Sequence, residues 1–218
     1  MTYHGKVKPG GPAQVRELTD LIISKLSLGP MDNNTYLLRC RATGAALLID
    51  APGPAVGLLD YVGSEPLLAV ALTHGHPDHW QGLADLVAST GVGVLGHPDD
   101  AALLPVALTE SIEHGDTVRF GRVSLSVIHL RGHTAGSVAL AYDDPAGHAH
   151  LFTGDALFPG GIGNTWGDPA AFKSLYHDVV ARIFDVYDDE TWVYPGHGDD
   201  TVLGRERPQL GEWLQRGW

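Results

Sequence analysis

Hydrophobic residues recur along this chain in short runs that end at glycine-rich turns, a pattern typical of β-strands. The runs at 21–28 and 35–40 are followed by a third at 45–50, and together they predict an opening antiparallel meander. Later runs predict further strands at 66–73, 91–97, 123–130, 137–142, 148–155 and 191–198. The chain is therefore expected to be rich in sheet, with helices in between.

Helical spacing of the apolar positions predicts three helices, at 55–62, 78–89 and 170–184. The second would place Asp78 and His79 at a helix N-terminus, where backbone amides favour a carboxylate. Glycine and proline near the start predict a loose arm over residues 1–20. No internal boundary is visible, so we expect one domain over 1–218.

Four of the predicted strands lead into residues of the types that bind metals in proteins. The motif THGHPDH follows the run at 66–73, and three further candidates lie in the turn before 137–142 and at or near the ends of the runs 148–155 and 191–198. The seven candidate ligands are His74, His76, Asp78, His79, His133, Asp155 and His197. Four such groups within six residues are hard to explain without a cation. Strands that carry functional groups at their tips are a common way to hold one site.

The ligand types indicate which metals would bind. Imidazole and carboxylate groups without thiolate suit zinc, iron or manganese, and we favour two divalent ions, with zinc as the metal. Seven ligands are about what two cations need. A water molecule on such a pair has a pKa near 7, so no separate general base is required.

The order HxHxDH, GHT, TGD and PGHG resembles the metallo-β-lactamase superfamily, and the segments LFTGDALF and VYPGHGDDT resemble its compact glyoxalase II-like members. The resemblance extends from about Met31 to His197. It implies an α/β (α+β) fold, a four-layered αββα sandwich with two mixed sheets face to face, helices outside and the site at one edge.

The resemblance also implies a role for each ligand. One metal would be bound by His74, His76 and His133, and the second by Asp78, His79 and His197. Asp155 would bridge them, and Asp78 and Asp155 are the expected catalytic carboxylates. Asp50 matches an acidic residue that orients a ligating imidazole in the family, although an aspartate that caps the turn before 51–53 is an equal alternative.

The function that the resemblance implies is hydrolysis of a thioester of a small thiol, as in hydroxyacylglutathione hydrolases, by attack of a metal-bridging hydroxide. A mononuclear-iron persulfide dioxygenase carries the same ligand types and stays open as an alternative, as does a metal-binding scaffold without turnover. A true β-lactamase is disfavoured by Asp155, since those enzymes carry another group there. Redox diiron chemistry is disfavoured by His76, where flavodiiron proteins carry a carboxylate.

The segment GGIGNTWGDP after Asp155 departs from both branches, because Asn164 stands where relatives usually carry arginine. Only 21 residues follow His197, so we expect thiol recognition to be reduced or achieved differently than in glyoxalase II with its additional helical domain. The candidate substrate contacts are Tyr194 as an oxyanion donor, Lys173 as a carboxylate partner, and Asn164 and Trp166 at the cleft.

The charge and hydropathy of the chain limit the classes of binding partner that we expect. The formal net charge of −12 opposes contact with nucleic acid or an anionic membrane. No run is long enough to span a bilayer and no signal peptide is recognisable, so we expect a cytoplasmic protein with a small-molecule substrate. The sequence makes no prediction of oligomeric state.

The single cysteine, Cys40, is expected to be a small buried side chain. The histidines outside the motif are interpreted as ordinary surface or core residues.

Overall fold

The computed structural model describes residues 3–29, 31–64 and 66–217. Its strands are β1 (Gln14–Glu17), β2 (Leu21–Leu28), β3 (Asn33–Cys40), β4 (Ala46–Ile49), β5 (Leu67–Ala71), β6 (Gly93–Gly96), β7 (Glu110–Ser111), β8 (Thr117–Phe120), β9 (Val123–His129), β10 (Val138–Asp143), β11 (Ala149–Gly154), β12 (Leu157–Phe158), β13 (Gly161–Ile162), β14 (Trp192–Pro195) and β15 (Thr201–Val202). Its α-helices are α1 (Ala55–Val62), α2 (Leu83–Thr90), α3 (Pro169–Val179), α4 (Leu203–Glu206) and α5 (Leu210–Arg216). None of these helices is long and apolar enough to cross a membrane.

The strands form two mixed sheets and one small hairpin. The first sheet has the order β1-β2-β3-β4-β5-β6-β7, antiparallel from β1 to β4 and parallel from β4 to β7. The second has the order β15-β14-β11-β10-β9-β8, in which only β11 and β14 run parallel. The hairpin pairs β12 with β13. The predicted opening meander is confirmed.

Three apolar clusters arrange these elements in four layers. Ile23 and Phe152 belong to the core between the two sheets. Leu58 of α1 and Leu83 of α2 pack on the outer face of the first sheet. Trp213 of α5 packs, together with α3, on the outer face of the second sheet. This is the αββα sandwich that the resemblance implies.

Residue alternation explains how the sheets take part in these layers. Along β2, Leu21 and Ile23 are buried while Ile22 and Ser24 are half-buried, so one face points to the inter-sheet core. Strand β10 has five consecutive buried residues, because it lies in the middle of its sheet with a cluster on each face.

The helix predicted at 78–89 is shorter than expected. Asp78 and His79 lie in a separate 3₁₀ turn, Pro77–His79, and α2 begins only at Leu83. Ala51 explains the break: its N–H donates to the carbonyl of His79 at 2.8 Å, and its carbonyl accepts from the N–H of Gly82 at 3.0 Å. Both peptide groups are thereby held by Ala51, in the loop after β4, instead of by a continuous helix.

The loose arm expected over residues 1–20 is wrong for Gln14–Glu17, which form β1 and pair antiparallel with β2. A second anchor lies further upstream, where the hydroxyl of Tyr3 donates to Asp200 Oδ2 at 2.6 Å. The described part of the N-terminal segment is therefore attached to the loop that follows β14.

A buried ion pair reinforces that attachment. Lys25 and Asp200 are both fully buried side chains, and the ammonium lies 2.6 Å from the carboxylate. Lys25 Nζ also donates to the carbonyls of Gly5 at 2.8 Å and Gly198 at 2.7 Å. Burial lowers the pKa of Lys25 and raises the pKa of Asp200, while their mutual attraction opposes both shifts.

His150 on β11 is buried as a neutral base. Its Nδ1 lies 2.9 Å from the hydroxyl of Tyr194, and its Nε2 has no hydrogen-bond partner among the residues that the structure describes. Burial is the main reason that the pKa of His150 is lowered to about 3. Protonating it would place a charge in the core.

We predict that Lys25→Met destabilises the protein by about 3–5 kcal/mol, because it leaves the carboxylate of Asp200 buried without its partner. Lys6→Met is the matched control, since Lys6 pairs with Asp199 on the surface with side chains 69% and 48% exposed; its effect should stay below about 1 kcal/mol. Urea unfolding of the three proteins measures both values. Equal stability of the two variants would contradict the predicted cost of leaving the Asp200 carboxylate unpaired.

A second prediction concerns the loss of folding stability at acid pH. A histidine with an ordinary pKa of 6.5 when unfolded and about 3 when folded contributes stability that is present above pH 6.5 and is lost as the pH falls towards 3. Each pH unit in that window costs up to about 1.4 kcal/mol. His150→Gln should therefore lose less stability than wild type between pH 7 and pH 4 in unfolding titrations. His114→Gln, at an exposed histidine, should keep the wild-type slope; a wild-type slope in His150→Gln would refute the prediction.

Candidate metal centre

All seven candidate ligands lie together at one edge of the sandwich. The loop after β5 carries the HxHxDH motif, the β9–β10 turn carries His133, Asp155 follows β11, and His197 follows β14. Backbone hydrogen bonds join the two sheets beside the centre: Val138 N–H donates to the carbonyl of Thr73 at 2.8 Å, and Asn34 N–H to that of Gly196 at 2.7 Å. Both sheets thus contribute rigid strand ends to one site.

Three histidines form the first group. His74, His76 and His133 each offer a ring nitrogen, and these nitrogens lie within 4.8 Å of one another. The Nδ1 atom of His76 and the Nε2 atom of His133 face each other at 2.9 Å. These three are the residues expected to bind one metal.

The second group contains Asp78, His79 and His197, whose ligand atoms also lie within 4.8 Å of one another. The Nε2 atoms of the two histidines are 3.1 Å apart, and Asp78 Oδ2 is 3.3 Å from that of His197. Asn33 Nδ2 donates to the same carboxylate oxygen at 2.8 Å and holds it in place.

Asp155 lies between the two groups. Its Oδ2 atom is 3.5 Å from His133 Nε2 of the first group and 3.3 Å from His197 Nε2 of the second. Its Oδ1 atom is 3.3 Å from His79 Nε2. This is the position expected for a carboxylate shared by two cations.

Asp50 and Thr73 orient two of the imidazoles. His79 Nδ1 lies 2.8 Å from Asp50 Oδ2, and the Thr73 hydroxyl donates to the same oxygen at 2.8 Å. The hydroxyl also lies 3.1 Å from His74 Nδ1. With Nδ1 engaged, the Nε2 atoms of His74 and His79 are left to face the centre. The orienting interpretation of Asp50 agrees with this contact.

Backbone carbonyl groups orient the imidazole rings of two further candidate ligands. His133 Nδ1 lies 2.9 Å from the carbonyl oxygen of Asn164, and His197 Nδ1 lies 2.7 Å from that of Met31. A carbonyl accepts only, so in each ring Nδ1 carries the proton and Nε2 is free to bind a metal.

Asp100, which sequence reasoning missed, ties two ligand loops together. Its carboxylate accepts from Gly75 N–H at 2.8 Å, from Gly136 N–H at 2.8 Å and from the Thr134 hydroxyl at 2.6 Å. Gly75 separates the first two histidines of the motif, and Thr134 follows His133. Only the tertiary structure brings these groups to a residue that reads in the sequence as a loop aspartate.

Burial and charge set the protonation of the metal-free site. Burial lowers the pKa values of His74, His76 and His133, which favours the neutral form that ligands need. Burial opposes ionisation of Asp155, but His197 and His79 outweigh it and hold the pKa of that carboxyl well below its usual range. Burial likewise opposes protonation of His79, yet Asp50 and Asp155 raise its pKa to about 10.

The residues fit a cation. His74 Nε2 and Asp155 Oδ1 are buried polar atoms without a hydrogen-bond partner in the described residues, and both point into the centre. A positive ion would satisfy both atoms, whereas an apolar neighbour would leave them unpaired. Gly196 is required beside them, because a Cβ there would overlap Asp155 Oδ1 and the His79 ring.

The four residues predicted to contact the substrate lie in different positions relative to the centre. Trp166 and Asn164 lie exposed at the rim, with the Trp166 ring centroid 5.2 Å from those of His76 and His133. Lys173 is exposed on α3 and makes no contact with the ligands in the described structure. Tyr194 was wrongly expected to be an oxyanion donor.

The reason lies in the alternation of β14. Tyr194 is fully buried between the sheets, its ring stacks on Phe152 with centroids 4.8 Å apart, and its hydroxyl accepts from Arg16 at 3.3 Å and faces His150. Pro195 and Gly196 separate it from His197, so nearness in sequence does not place its side chain in the site.

A smaller group of metal-binding residue types, His97, Asp99 and His129, lies outside this centre. The two imidazole rings stack at 3.9 Å, and His97 Nδ1 accepts from the N–H of Asp99, which caps the 3₁₀ turn Pro98–Leu103. His129 Nε2 donates to the carbonyl of Ala135 at 2.7 Å. These contacts agree with ordinary structural histidines.

Comparison with known proteins gives concordant matches. Residues 28–197 match the sequence profile of the metallo-beta-lactamase superfamily. The uncharacterized protein ML0493 of Mycobacterium leprae is 32% identical over 214 residues, which cover 86% of this chain and 96% of that protein. A hydroxyacylglutathione hydrolase of Fuscovulum blasticum is 39% identical over 169 residues, covering 76% of this chain but 62% of that enzyme. The crystal structure of TTHA1623 in a di-iron-bound form is 33% identical, with a TM-score of 0.67 over 84% of this chain and 96% of that one.

We predict that Asp50→Asn weakens metal binding by about 10–100-fold, because an amide holds the His79 imidazole less firmly than a carboxylate does. Asparagine tolerates the positive φ of 57° at this position, so the backbone should not change. Competition with a chromophoric chelator measures the affinity, and Asp60→Asn on the exposed face of α1 is the matched control. Equal affinities in the two variants would count against an orienting role.

Proposed function

This chain belongs to the metallo-beta-lactamase superfamily, and we propose that it is a metal-dependent hydrolase that cleaves a thioester of a small thiol. One observation carries the proposal: Asp155 lies between two groups of three ligands, so that all seven side chains surround one space. The likeness to a hydroxyacylglutathione hydrolase over 76% of this chain supports the thioester as substrate class. The net charge of −12 supports a small molecule rather than nucleic acid.

The ligand groups indicate how two divalent cations would be held. His74, His76 and His133 would bind one, Asp78, His79 and His197 the other, and Asp155 both. We favour zinc for a set of imidazoles and carboxylates, and the di-iron form of TTHA1623 supports iron as an alternative. When bound, two such cations lower the pKa of a water molecule to about 7 and polarise a carbonyl oxygen, which supplies a nucleophile without serine or cysteine.

The protein side chains keep this arrangement fixed during hydrolysis. Asn33 holds the Asp78 carboxylate, and Asp50 holds the His79 ring. The oxygen of water forms a bond to the acyl carbon, the carbon–sulfur bond breaks, and the thiol leaves with a proton. Because the ligands are already oriented by their neighbours, little reorganisation accompanies the reaction.

Metal content combined with activity tests this function. Anaerobically purified protein is measured by elemental analysis, for hydrolysis of S-lactoylglutathione, and for oxygen consumption with glutathione persulfide. Two metals per chain with thioester hydrolysis are expected. One iron per chain with oxygen consumption would establish the mononuclear dioxygenase instead, and full metal occupancy without any turnover would establish a scaffold.

Asp155→Ala should lower kcat for the thioester by at least about 10²-fold, since it removes the group shared by the two metal sites. The variant should also retain less than the wild-type amount of metal after dialysis. Asp85→Ala, at an exposed aspartate on α2, is the control and should behave as wild type. Turnover retained at wild-type metal content would exclude a bridging role for Asp155.

A further inference from the structure

The rim of the metal centre carries a large aromatic side chain in an unfavourable conformation. Trp166 is 63% exposed, and its ring lies over the first ligand group, at 5.2 Å from the rings of both His76 and His133. Its φ of +52° is in the left-handed region, which bulky residues rarely adopt because the conformation costs free energy. An exposed ring held at such a cost points to a use in binding.

Asn164 holds this conformation. Its side-chain Oδ1 accepts from the N–H of Trp166 at 2.7 Å, while its own carbonyl accepts from His133 Nδ1 at 2.9 Å. Asp168 then caps α3 by accepting from the N–H groups of Ala170 and Ala171. The tryptophan is thus fixed relative to a candidate ligand by the residue that replaces the arginine expected at this place.

Other apolar residues lie near the two ligand groups. Met31 is 53% exposed, and its carbonyl holds His197; the half-buried Phe158 ring lies 6.3 Å from the ring of His197. Leu103 is 50% exposed and packs over Gly75, where a Cβ would overlap it. The centre therefore has apolar surface beside both ligand groups.

In the described ranges, no lysine or arginine forms a hydrogen bond or ion pair with any of the seven candidate ligands. Arg131, near His133 in sequence, directs its guanidinium to Asp178 through two hydrogen bonds of 2.8 Å. No cationic side chain is therefore placed against the ligands to bind an anionic group, whereas an apolar group would bury surface against the rings of Trp166 and Phe158.

We propose that Trp166, with Met31, Phe158 and Leu103, selects thioesters that carry an uncharged aromatic or aliphatic group beside the scissile bond. This inference rests on the proposed thioesterase function and adds its substrate class. The apolar group can belong to the acyl part or to the thiol, and the two sources share the same chemistry. Stacking on the Trp166 ring, which Asn164 holds in place, and apolar burial would supply this selectivity.

Trp166→Asn tests the role of the ring, because asparagine tolerates a positive φ and removes the aromatic surface. Initial rates are measured for two series: acyl groups from acetyl to octanoyl and benzoyl on one thiol, and one acyl group on glutathione, N-acetylcysteamine and thiophenol. Wild type should prefer the apolar members. The variant should lose about 10-fold or more in kcat/KM for these and less than about 2-fold for the small ones. Trp166→Phe should restore most of the loss, and Val186→Asn, at an exposed valine outside the site, should have no effect.

Two further measurements do not depend on turnover. The thioether analogue of the octanoyl thioester of N-acetylcysteamine should bind wild type about 10-fold more tightly than Trp166→Asn in calorimetry. The melting temperature of the variant should equal or exceed that of wild type, because the strain is relieved; a clear decrease would show that the ring is structural and would overturn the proposal.

The outcomes separate the two proposals. If no thioester is hydrolysed but the analogue still binds through Trp166, the thioesterase function fails and the apolar site stands. If thioesters are hydrolysed with equal kcat/KM for apolar and anionic groups, or if Trp166→Asn slows all of them equally, the thioesterase stands and the apolar selectivity is refuted.

Discussion

Five imidazole rings and two carboxylates share one small space, and this crowding is the constraint on which the site depends. Neighbouring ring centroids lie between 4.2 and 5.0 Å apart. Protonated together, the rings would repel one another. Burial lowers the pKa values of His74, His76 and His133, whereas Asp50 with Asp155 raises the pKa of His79 and Asp155 raises that of His197. Cations are the natural replacement for those protons, because they satisfy the ring nitrogens and the carboxylates at once.

The rest of the fold serves to keep these groups in place. Strand ends from both sheets supply the ligands, and hydrogen bonds between the sheets fix the distance between them. Behind the ligands, Asp50 and Asp100 accept from the loops of the HxHxDH motif and the β9–β10 turn. The Lys25–Asp200 pair attaches the N-terminal segment to the loop after His197. Asp100 and Lys25 thus each have partners on two different chain segments, and Asp50 holds two positions of one loop, which is how a loop-borne site becomes rigid.

The strands and the convergence of the seven ligands could be predicted because they depend on local pattern and on motif spacing, whereas the four layers were implied by the resemblance to the superfamily. Features that depend on tertiary partners could not. Asp100 looks like any loop aspartate, Lys25 interrupts an apolar strand without revealing its partner 175 positions away, and Ala51 separates residues 78–79 from the expected helix through two hydrogen bonds that no local pattern reveals. Tyr194 was misplaced because sequence proximity to His197 was given more weight than the alternation of its strand.

The proposed hydrolysis depends on two cations that share Asp155 between the two ligand groups. Anomalous diffraction from crystals of the metal-loaded protein, recorded at the absorption edge of the bound metal, tests it most directly. Two peaks are expected, one beside His74, His76 and His133, the other beside Asp78, His79 and His197, with Asp155 in contact with both. A single peak at full metal loading, or peaks away from these side chains, would contradict it.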